Sequence, residues 1–430
     1  MAAALSGHLD AGQAAEAACR ACAEALEGAH ADLVTVFFSG HHLGAAATIA
    51  RTVRERLEPR CLIGASAEAV VGGEIEMEQV PGVSVLVATL PGATLTPFNT
   101  DQLLPIAGNM TREELEPIAK AAGLTGDHRA TILLGDPFSV PTNALLPAMA
   151  AARDFFANPR NNEDERPGPI IGGMASAAQR AGGNALFLND KILRAGAVGV
   201  SIAGPVRVDA IVSQGCKPIG PPLVITAGKG QMISTLGGKP AVQVLSGILD
   251  TLDGAGKQRL KTGLFIGRAV SEYKSRFGRG DFLIRNVIGV DRANEAIAVA
   301  DIIRVGQTIQ FHVRDAATAA EDLDLLLDAQ KLYDPPAGVL LFTCNGRGSR
   351  LFNHSHHDAM AISRAFVDPV GGEQSAKGGK AIAPVGAITR RPIPLAGFFC
   401  AGEIGPIDDQ VFVHGQTACV ALFRGVGPTA

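Results

Sequence analysis

One order of elements recurs three times along the chain, and this repetition limits the folds open to it. Each copy reads as a buried strand, a glycine turn, a helix, a second strand that breaks on small residues, and a hairpin. The opening strands are residues 32–38, 131–138 and 339–342, and the helices are residues 45–57, 143–158 and 357–366. Apolar strands that alternate with helices are typical of sheets covered on both faces. We therefore predict an α/β (α+β) protein with mixed β-sheets flanked by helices, built from three copies of a strand-helix-strand-hairpin unit.

A different pattern separates the second copy from the third. The segment reads as a strand at residues 206–212, paired strands at 223–227 and 232–236, and a helix at 240–252. Further strands between residues 263 and 313 predict an antiparallel meander. Two segments are polar or glycine-rich. Residues 159–169 predict a surface loop, and residues 368–380 predict a solvated connector, with a mobile lid as the alternative.

The composition argues against several classes of function. The formal charge is −4, there is no Trp and there are two Tyr, so the positive charge and stacking surfaces that nucleic acids require are scarce. No apolar run reaches the roughly 18 residues of a membrane span, and the N-terminus lacks the pattern of a secretory signal. The seven Cys favour a reduced, cytoplasmic protein. Cys19 and Cys22 lie in an Ala-rich helical run, which favours small core residues over a redox pair.

The C-terminal region contains the most informative motif. An apolar strand over residues 395–401 breaks at Gly402, where Glu403 stands among glycines, and a second strand ends at His414. Glycines at such a break permit a sharp turn or a close approach of the backbone to a ligand. The motif predicts either a small-molecule pocket that includes Glu403 and His414 or a hairpin with one solvated glutamate.

Several motifs, in this order along the chain, resemble the FIST family. They are residues 63–68 (IGASAE), 213–220 (SQGCKPIG), 341–348 (LFTCNGRG) and 397–406 (GFFCAGEIGP), with His414 and Gly415 after them. The resemblance implies an N-terminal FIST region over residues 30–235 and a C-terminal FIST region over residues 236–425. It implies a stand-alone intracellular sensory protein that binds a small ligand, such as an amino acid or related metabolite, and signals through an unknown protein partner. Some relatives bind haem and respond to nitric oxide, so haem remains an alternative cofactor.

The strand ends supply the candidate ligand-binding residues. If the three units share one sheet, the ends of their opening strands lie along one edge, where α/β proteins commonly bind ligands. The breaks at Glu68, Ser176 and Glu403 are then expected to converge nearby. The candidate ligand-binding residues are Glu68, Asp136, Cys216, Asn345, Gly346, Arg347, Gly348, Gly402, Glu403 and His414.

Arg347 is the expected anion-binding residue, because its planar guanidinium fits a carboxylate or a phosphate. Glu403 is the expected partner of an ammonium group, so the two residues together fit a zwitterionic amino acid. The alternative is a structural ion pair between Arg347 and Glu403. We expect Arg347→Ala to lower the affinity for the ligand without unfolding the protein.

Other side chains suggest chemistry beyond ligand binding. Cys216 and Cys344 lie near cationic residues, which would lower the pKa of a thiol and make it more reactive. One alternative is therefore a cysteine-dependent enzyme with His414 as the base. Buried, inert thiols are the other reading. Residues 354–358 (HSHHD) have metal-ligand residue types, but the segment reads as the start of a helix with Ser355 as N-cap and Asp358 at the third position. The candidate haem ligands are His41, His42, His312 and His414. We predict ligand sensing, with neither a catalytic nor a metal-binding residue; a scaffold that binds only protein is a further alternative.

Overall fold

Three related units and one inserted barrel make up the part of the chain that the structure describes. The structure is a computed structural model, and it describes residues 1–103, 105–107, 110–157, 168–274, 276–366 and 392–425. The predicted connector at residues 368–380 and all but the last two residues of the predicted loop at 159–169 lie outside these ranges. Among the described helices, none has the length and apolar character to cross a membrane.

Each unit contains the same sequence of elements. The first consists of β1 (Ala2–Ser6), α1 (Ala11–Leu26), β2 (Leu33–Ser39), α2 (Ala46–Leu57), β3 (Cys61–Ala67), β4 (Val70–Gly72), β5 (Ile75–Met77) and β6 (Val83–Ala88). The second consists of β7 (Thr94–Asn99), α3 (Arg112–Ala121), β8 (His128–Gly135), α4 (Thr142–Phe156), β9 (Ile170–Met174), β10 (Leu186–Leu188), β11 (Lys191–Leu193) and β12 (Ala197–Ala203).

The third unit is interrupted after its first strand, β13 (Val206–Gln214). The insertion consists of β14 (Cys216–Lys229), β15 (Met232–Leu236), β16 (Lys239–Pro240), α5 (Ala241–Asp250), α6 (Gly254–Leu260), β17 (Leu264–Ala269), β18 (Phe282–Asp291), β19 (Ala296–Val299) and β20 (Thr308–Arg314). The unit then resumes with α7 (Ala316–Gln330), β21 (Gly338–Cys344), α8 (Ser349–Phe352), α9 (His357–Ala365), β22 (Leu395–Cys400), β23 (Glu403–Ile407), β24 (Gln410–His414) and β25 (Thr417–Gly425).

The units have equivalent strand orders, which confirms the predicted repeat. In each, two strands pair in parallel (β2 with β3, β8 with β9, β21 with β22), and the last strand pairs antiparallel with the first of these two (β6, β12 and β25). The strand that opens the unit (β1, β7 or β13) lies at the outer edge. The prediction of mixed sheets flanked by helices is therefore correct.

The hairpins are exchanged between units. The β4–β5 hairpin pairs with β22, β10–β11 pairs with β3, and β23–β24 pairs with β9. Each unit thus completes the sheet of another unit, and the units form three separate sheets. The expectation of one shared sheet is wrong, because the outer neighbour of each parallel pair comes from another unit.

The three sheets enclose a common core. Their inner faces meet in one hydrophobic cluster, in which the Phe37 and Phe398 rings lie 4.8 Å apart and the Phe342 and Phe398 rings lie 5.7 Å apart. Helices cover the outer faces, with α1 packed on α2, α3 on α4, and α7 on α9. These three units together are called the body below.

The first helix shows how the sequence specifies these elements. The side chain of Asp10 caps α1 by accepting a hydrogen bond from the Gln13 amide at 2.8 Å, as an N-cap residue does. Alanines form the face that packs on the sheet, and Cys19 and Cys22 are fully buried among them. The prediction that these two thiols are small core residues is confirmed.

The insertion folds into a closed β-barrel. Its strands pair in the order β14–β20–β17–β18–β19–β15, and β15 pairs again with β14 to complete the circle. The predicted meander holds for β17, β18 and β19, but β20 returns to lie between β17 and β14. Apolar side chains, among them Ile225, Ile266 and Phe311, fill the interior.

Candidate functional site

Arg347 lies on the turn that follows β21, and it is fully buried. Its Nε and Nη2 donate to the two carboxylate oxygens of Asp358, at 2.7 and 2.8 Å. Asp358 also accepts a hydrogen bond from the hydroxyl of Thr343 at 2.8 Å. Burial alone would raise the pKa of Asp358, but the Arg347 charge and its hydrogen bonds outweigh burial and lower that pKa. The structural partner of Arg347 is therefore Asp358 and not Glu403, which corrects the alternative considered from the sequence.

Glu403 opens β23 and is fully buried, so a solvated glutamate is excluded. Its Oε2 accepts hydrogen bonds from the amide and hydroxyl of Thr417, at 3.2 and 2.7 Å. Burial raises the pKa of Glu403 to about 8, although the Thr417 bonds and the Arg347 charge act against this rise. Glu403 is consequently mostly protonated at neutral pH.

Six buried polar atoms around these residues have no hydrogen-bond partner within the described ranges. They are Arg314 Nε and Nη2, Asn345 Oδ1, Arg347 Nη1, Glu403 Oε1 and Gln416 Oε1. Each unpaired buried polar group costs about 1–3 kcal/mol, so folded proteins contain few of them. Their concentration in one region points to a site that a ligand satisfies.

Short distances around two glycines show how closely these groups approach. A Cβ atom on Gly346 would lie 2.9 Å from Gln416 Oε1 and 3.1 Å from Arg314 Nη2. A Cβ atom on Gly215 would lie 3.2 Å from Arg347 Nη1 and 2.6 Å from the Gln416 carbonyl oxygen. A Cβ atom at either position would crowd these groups, so the two glycines allow the groups to converge, and we call the resulting cluster the polar cleft. It is formed by Arg314, Asn345, Arg347, Glu403 and Gln416.

At the corresponding strand ends of the other two units, Ser39 and Asp136 have internal hydrogen-bond partners. At the end of β2, the hydroxyl of Ser39 accepts a hydrogen bond from the Gly82 amide at 3.0 Å. After β8, Asp136 is bonded to Ser139 at 2.6 Å and to Asn184 at 3.0 Å. Asp136 therefore lies in a closed network of the second unit, away from the polar cleft. In the turn after β2, His42 Nε2 is buried without a partner within the described ranges, whereas the third unit brings several such atoms together.

Arg314 and Gln416 were not predicted from the sequence. Arg314 is the last residue of β20, and in the described part of the chain no carboxylate forms an ion pair with it. Gln416 has φ +66°, a left-handed conformation that costs a non-glycine residue about 1–3 kcal/mol and often marks a functional position. The sequence contains only a weak indication of these two residues, because each lies beside an element end. Arg314 precedes the helix-capping residue Asp315, and Gln416 follows Gly415.

Two thiols lie beside the cleft. Cys216 is directly opposite Arg314 in the β14–β20 pair, and Cys344 precedes Asn345. Burial raises the pKa of each thiol to about 12, and the positive charge of Arg314 only partly offsets this rise. Both thiols are therefore protonated at neutral pH, which favours the reading of inert thiols.

His414 is the cross-strand partner of Glu403, but its ring turns toward the backbone. Its Nε2 lies 3.0 Å from the Gly405 carbonyl oxygen. Burial lowers the pKa of His414 to about 4, so the ring is neutral. Its contacts are structural, although it borders a second cavity described below.

The remaining candidates have structural contacts. A Cβ atom on Gly402 would contact Val413, and Gly348 has a positive φ of 57° next to Glu78. Glu68 pairs with Arg350, which also donates to the Asn345 carbonyl oxygen at 2.9 Å. Glu68 thus lies at the outside of the turn that carries Asn345 and Gly346.

The three strand breaks are in contact, as the sequence suggested. The hydroxyl of Ser176 accepts a hydrogen bond from the Glu68 amide at 2.8 Å and donates to the Phe399 carbonyl oxygen. The Met174 amide donates to the carbonyl oxygen of Gly402, which precedes Glu403. Exchange of the hairpins, rather than a shared sheet, brings these breaks together.

The His-rich segment at residues 354–358 serves helix α9 and the ion pair. The cap residue is His356, in a left-handed conformation, and Asp358 is the second helical residue, so the predicted Ser355 cap is wrong. The carboxylate of Glu76, from the hairpin of the first unit, accepts from the His356 and Ala359 amides at 3.0 Å each. Within the described ranges, no cluster of His, Cys, Asp and Glu has an arrangement that could hold a metal ion.

These features define an α/β protein of three related units, with a barrel inserted in the third and a buried polar cleft where the two meet. The chain belongs to the FIST family: residues 32–239 match the FIST N domain and residues 241–406 match the FIST C domain. The junction between the two matches, at residue 240, lies inside the barrel insertion.

Relatives from mycobacteria align with nearly the whole chain. An uncharacterized protein of Mycobacterium tuberculosis H37Rv is 37% identical over 413 residues, which is 95% of each chain. An uncharacterized protein of Mycobacterium bovis is 36% identical over 420 residues, which is 96% of each chain. FIST domains are associated with sensory signalling and ligand binding rather than with catalysis.

Proposed function

We propose that this protein is a sensor that binds an α-amino acid or a closely related metabolite in the polar cleft. The observation that carries the proposal is the set of six buried, unpaired polar atoms that the cleft contains. The number and type of these atoms match the groups of a free amino acid. The proposed ligand-binding residues are Arg314, Asn345, Arg347, Glu403 and Gln416.

Arg314 supplies the site for the carboxylate. Its unpaired Nε and Nη2 lie on one edge of the guanidinium. The same edge of Arg347 binds the carboxylate of Asp358 through two hydrogen bonds. A ligand carboxylate on Arg314 would reproduce this bidentate arrangement, which is stronger than a single neutral hydrogen bond.

The ammonium group has three N–H donors, and the cleft offers three unpaired oxygens. These are Asn345 Oδ1, Glu403 Oε1 and Gln416 Oε1. Arg347 Nη1 remains as a donor for an acceptor on the ligand side chain. An amide or carboxylate side chain would use that donor, so polar amino acids are the favoured members of the class.

The protonation of Glu403 links ligand binding to pH. The free protein holds Glu403 mostly protonated at neutral pH, because its pKa is about 8. A ligand ammonium favours the ionised form, so binding would release a proton and tighten as the pH rises toward 8. A ligand without an ammonium group would instead accept a hydrogen bond from the protonated carboxyl and bind more weakly above pH 8.

The two alternative functions have less support from the geometry. A cysteine nucleophile requires a thiolate, whereas burial keeps Cys216 and Cys344 protonated. Of the haem candidates, His312 and His414 already contact backbone carbonyl oxygens at 2.9 and 3.0 Å. The seven free thiols fit a reducing compartment, and we propose a cytoplasmic sensor that signals through a protein partner.

Calorimetric titration of the purified protein with the common L-amino acids tests the proposal. For the amino acid that binds most tightly, the matched acid without the amino group and the matched amine without the carboxyl group serve as controls. We expect both analogues to bind at least about tenfold more weakly, the effect of losing one charge-assisted interaction. Equal binding of the amine, or no heat with any amino acid, would contradict the proposal.

A further inference from the structure

We propose that the barrel rotates relative to the body about the two chain crossings at Gly215 and Asp315, and that a ligand in the polar cleft holds one orientation. This inference rests on the proposed function, because it concerns the same cleft. It adds how occupancy of the cleft changes the shape that a signalling partner meets.

The barrel and the body are connected by two adjacent crossings. The first runs from Gln214 through Gly215 to Cys216, and the second from Arg314 through Asp315 to Ala316. The Asp315 amide donates to the Gly215 carbonyl oxygen at 3.3 Å, and Cys216 is paired with Arg314. Two neighbouring strands form a narrow connection about which a rigid barrel can turn, and hinges consist of a few such residues at element ends.

The barrel and the body have separate hydrophobic cores. The barrel residues form one large cluster and one small cluster at its end near Cys216. The body contains four other clusters. Among the described residues, none of the six clusters includes side chains from both parts. Rotation of the barrel would therefore break no shared apolar core.

Polar contacts connect the two parts elsewhere. Gln214 Nε2 donates to the Phe282 carbonyl oxygen at 2.7 Å, and Arg285 Nη1 donates to the Val413 carbonyl oxygen at 3.0 Å. The ion pair of Arg279 with Glu321 is largely exposed. The exposed ion pair can be lost at small cost, whereas the hydrogen bonds of Gln214 and Arg285 would have to form with new partners in a second orientation.

Open space lies on the other side of the connection. A cavity of about 440 Å³ is lined by the barrel residues Arg285 and Asp301, by the start of α4 and by His414. The turn that contains Gly415 and Gln416 lies between this cavity and the polar cleft, since His414 and Gly415 border the cavity and Gln416 reaches the cleft. The barrel thus has room to move on one side while the cleft opens or closes on the other.

The cleft takes its polar atoms from both parts. Arg314 comes from the barrel, whereas Asn345, Glu403 and Gln416 come from the body. A ligand whose carboxylate binds Arg314 and whose ammonium binds the body oxygens would connect the two parts directly. Binding then favours the orientation in which both sets of contacts form, as any ligand favours the conformation that it binds better.

Electron-spin distance measurements on the full chain test this inference. Spin labels at K229C on the barrel and K191C on the body report their relative position, and both native lysines are exposed. The seven native thiols are buried, so labelling is selective. A second pair, K120C with K191C, lies within the body and serves as the matched control. The probe is L-glutamine, which has a carboxylate, an ammonium and a side-chain acceptor, and calorimetry on the same labelled protein measures its binding.

We expect a broad distance distribution for the barrel–body pair in the free protein, and a shift to one narrow distance with L-glutamine. The control pair should keep the same distance throughout. A single narrow distance that L-glutamine does not change, in protein that binds it, would overturn the hinge and leave the proposed function standing. No heat with L-glutamine, or with the other amino acids in its place, would overturn both.

Discussion

Arg314 and Arg347 offer a matched pair of substitutions, because both lie in the polar cleft but, among the described residues, a carboxylate binds Arg347 and none binds Arg314. Arg347 is bonded to Asp358 through two of its nitrogens, whereas Arg314 Nε and Nη2 have no partner in the described structure. Replacement by Met retains most of the apolar stem of either side chain and removes its charge. We therefore expect R347M to lower mainly the stability of the protein and R314M to lower mainly its affinity for the ligand.

The magnitudes follow from these contacts. R347M removes the cationic partner of the buried Asp358 carboxylate, which keeps its contacts with the Thr343 hydroxyl at 2.8 Å and with His357 Nδ1 at 3.0 Å. Loss of one partner of a buried ion pair costs about 3–5 kcal/mol. Within the described residues, R314M removes no side-chain hydrogen bond or ion pair, so we expect a change below about 1 kcal/mol in the free energy of unfolding. In binding, loss of the bidentate site on Arg314 should cost about 1.5–3 kcal/mol, which is roughly ten- to hundredfold in Kd.

Chemical unfolding followed by circular dichroism measures stability, because the chain has no Trp for fluorescence. Calorimetry with the tightest-binding amino acid measures affinity. The two hydrogen bonds of Arg347 to Asp358 also argue against the expectation that Arg347→Ala leaves the fold unaffected. If R314M destabilises the protein as much as R347M, or leaves Kd unchanged, the assignment of Arg314 to the ligand is wrong.

Four further predictions concern single groups. D358N should be less stable than the parent protein at pH 7, and this difference in stability should shrink as the pH falls below about 4. The lowered pKa of Asp358 stabilises the folded state above the pKa of the unfolded chain, and this stabilisation is lost in acid. Unfolding midpoints of both proteins from pH 2 to 7 measure the difference, and a constant difference would contradict the prediction. Because the pKa of Glu403 is raised to about 8 in the folded protein, the parent should lose stability relative to E403Q as the pH rises from about 4.5 to 8. Parallel curves of stability against pH for the two proteins would show that ionisation of Glu403 is not involved. Q416G should remove the strain of the left-handed backbone and raise the free energy of unfolding by about 1 kcal/mol, while it weakens ligand binding. Q416N is its control, because asparagine tolerates a left-handed backbone. Unchanged ligand affinity in both variants would show that Gln416 does not bind the ligand. Cys216 and Cys344 should resist iodoacetamide at pH 7 in the folded protein, and rapid mass labelling of either thiol would revive the enzyme alternative.

The sequence predicted the repeat because its signal is local. Apolar strands, helices and small-residue breaks follow one another in each unit, and the structure has them at nearly the predicted positions. The exchange of hairpins was missed because β4 and β10 are strands of three residues. A strand of three residues is too short for its hydrophobic pattern to specify which sheet it joins. The sheet is instead determined by how the three units pack together.

Part of the candidate site contains residues that the sequence singled out, for the same reason. Arg347, Asn345 and Glu403 stand in glycine-rich turns that the sequence makes visible, and the structure places them around the cleft. The partner of Arg347 was not visible, because Asp358 is eleven residues away in a segment that resembles a metal motif. Arg314 was missed because the closed barrel, and not the local sequence, brings the end of β20 to the third unit.

A crystal structure of the complex with the tightest-binding amino acid tests the central claim most directly. The account predicts the ligand carboxylate on Arg314 Nε and Nη2, and the ammonium among the side-chain oxygens of Asn345, Glu403 and Gln416. A ligand bound elsewhere, with Arg314 free of it at full occupancy, would contradict the account.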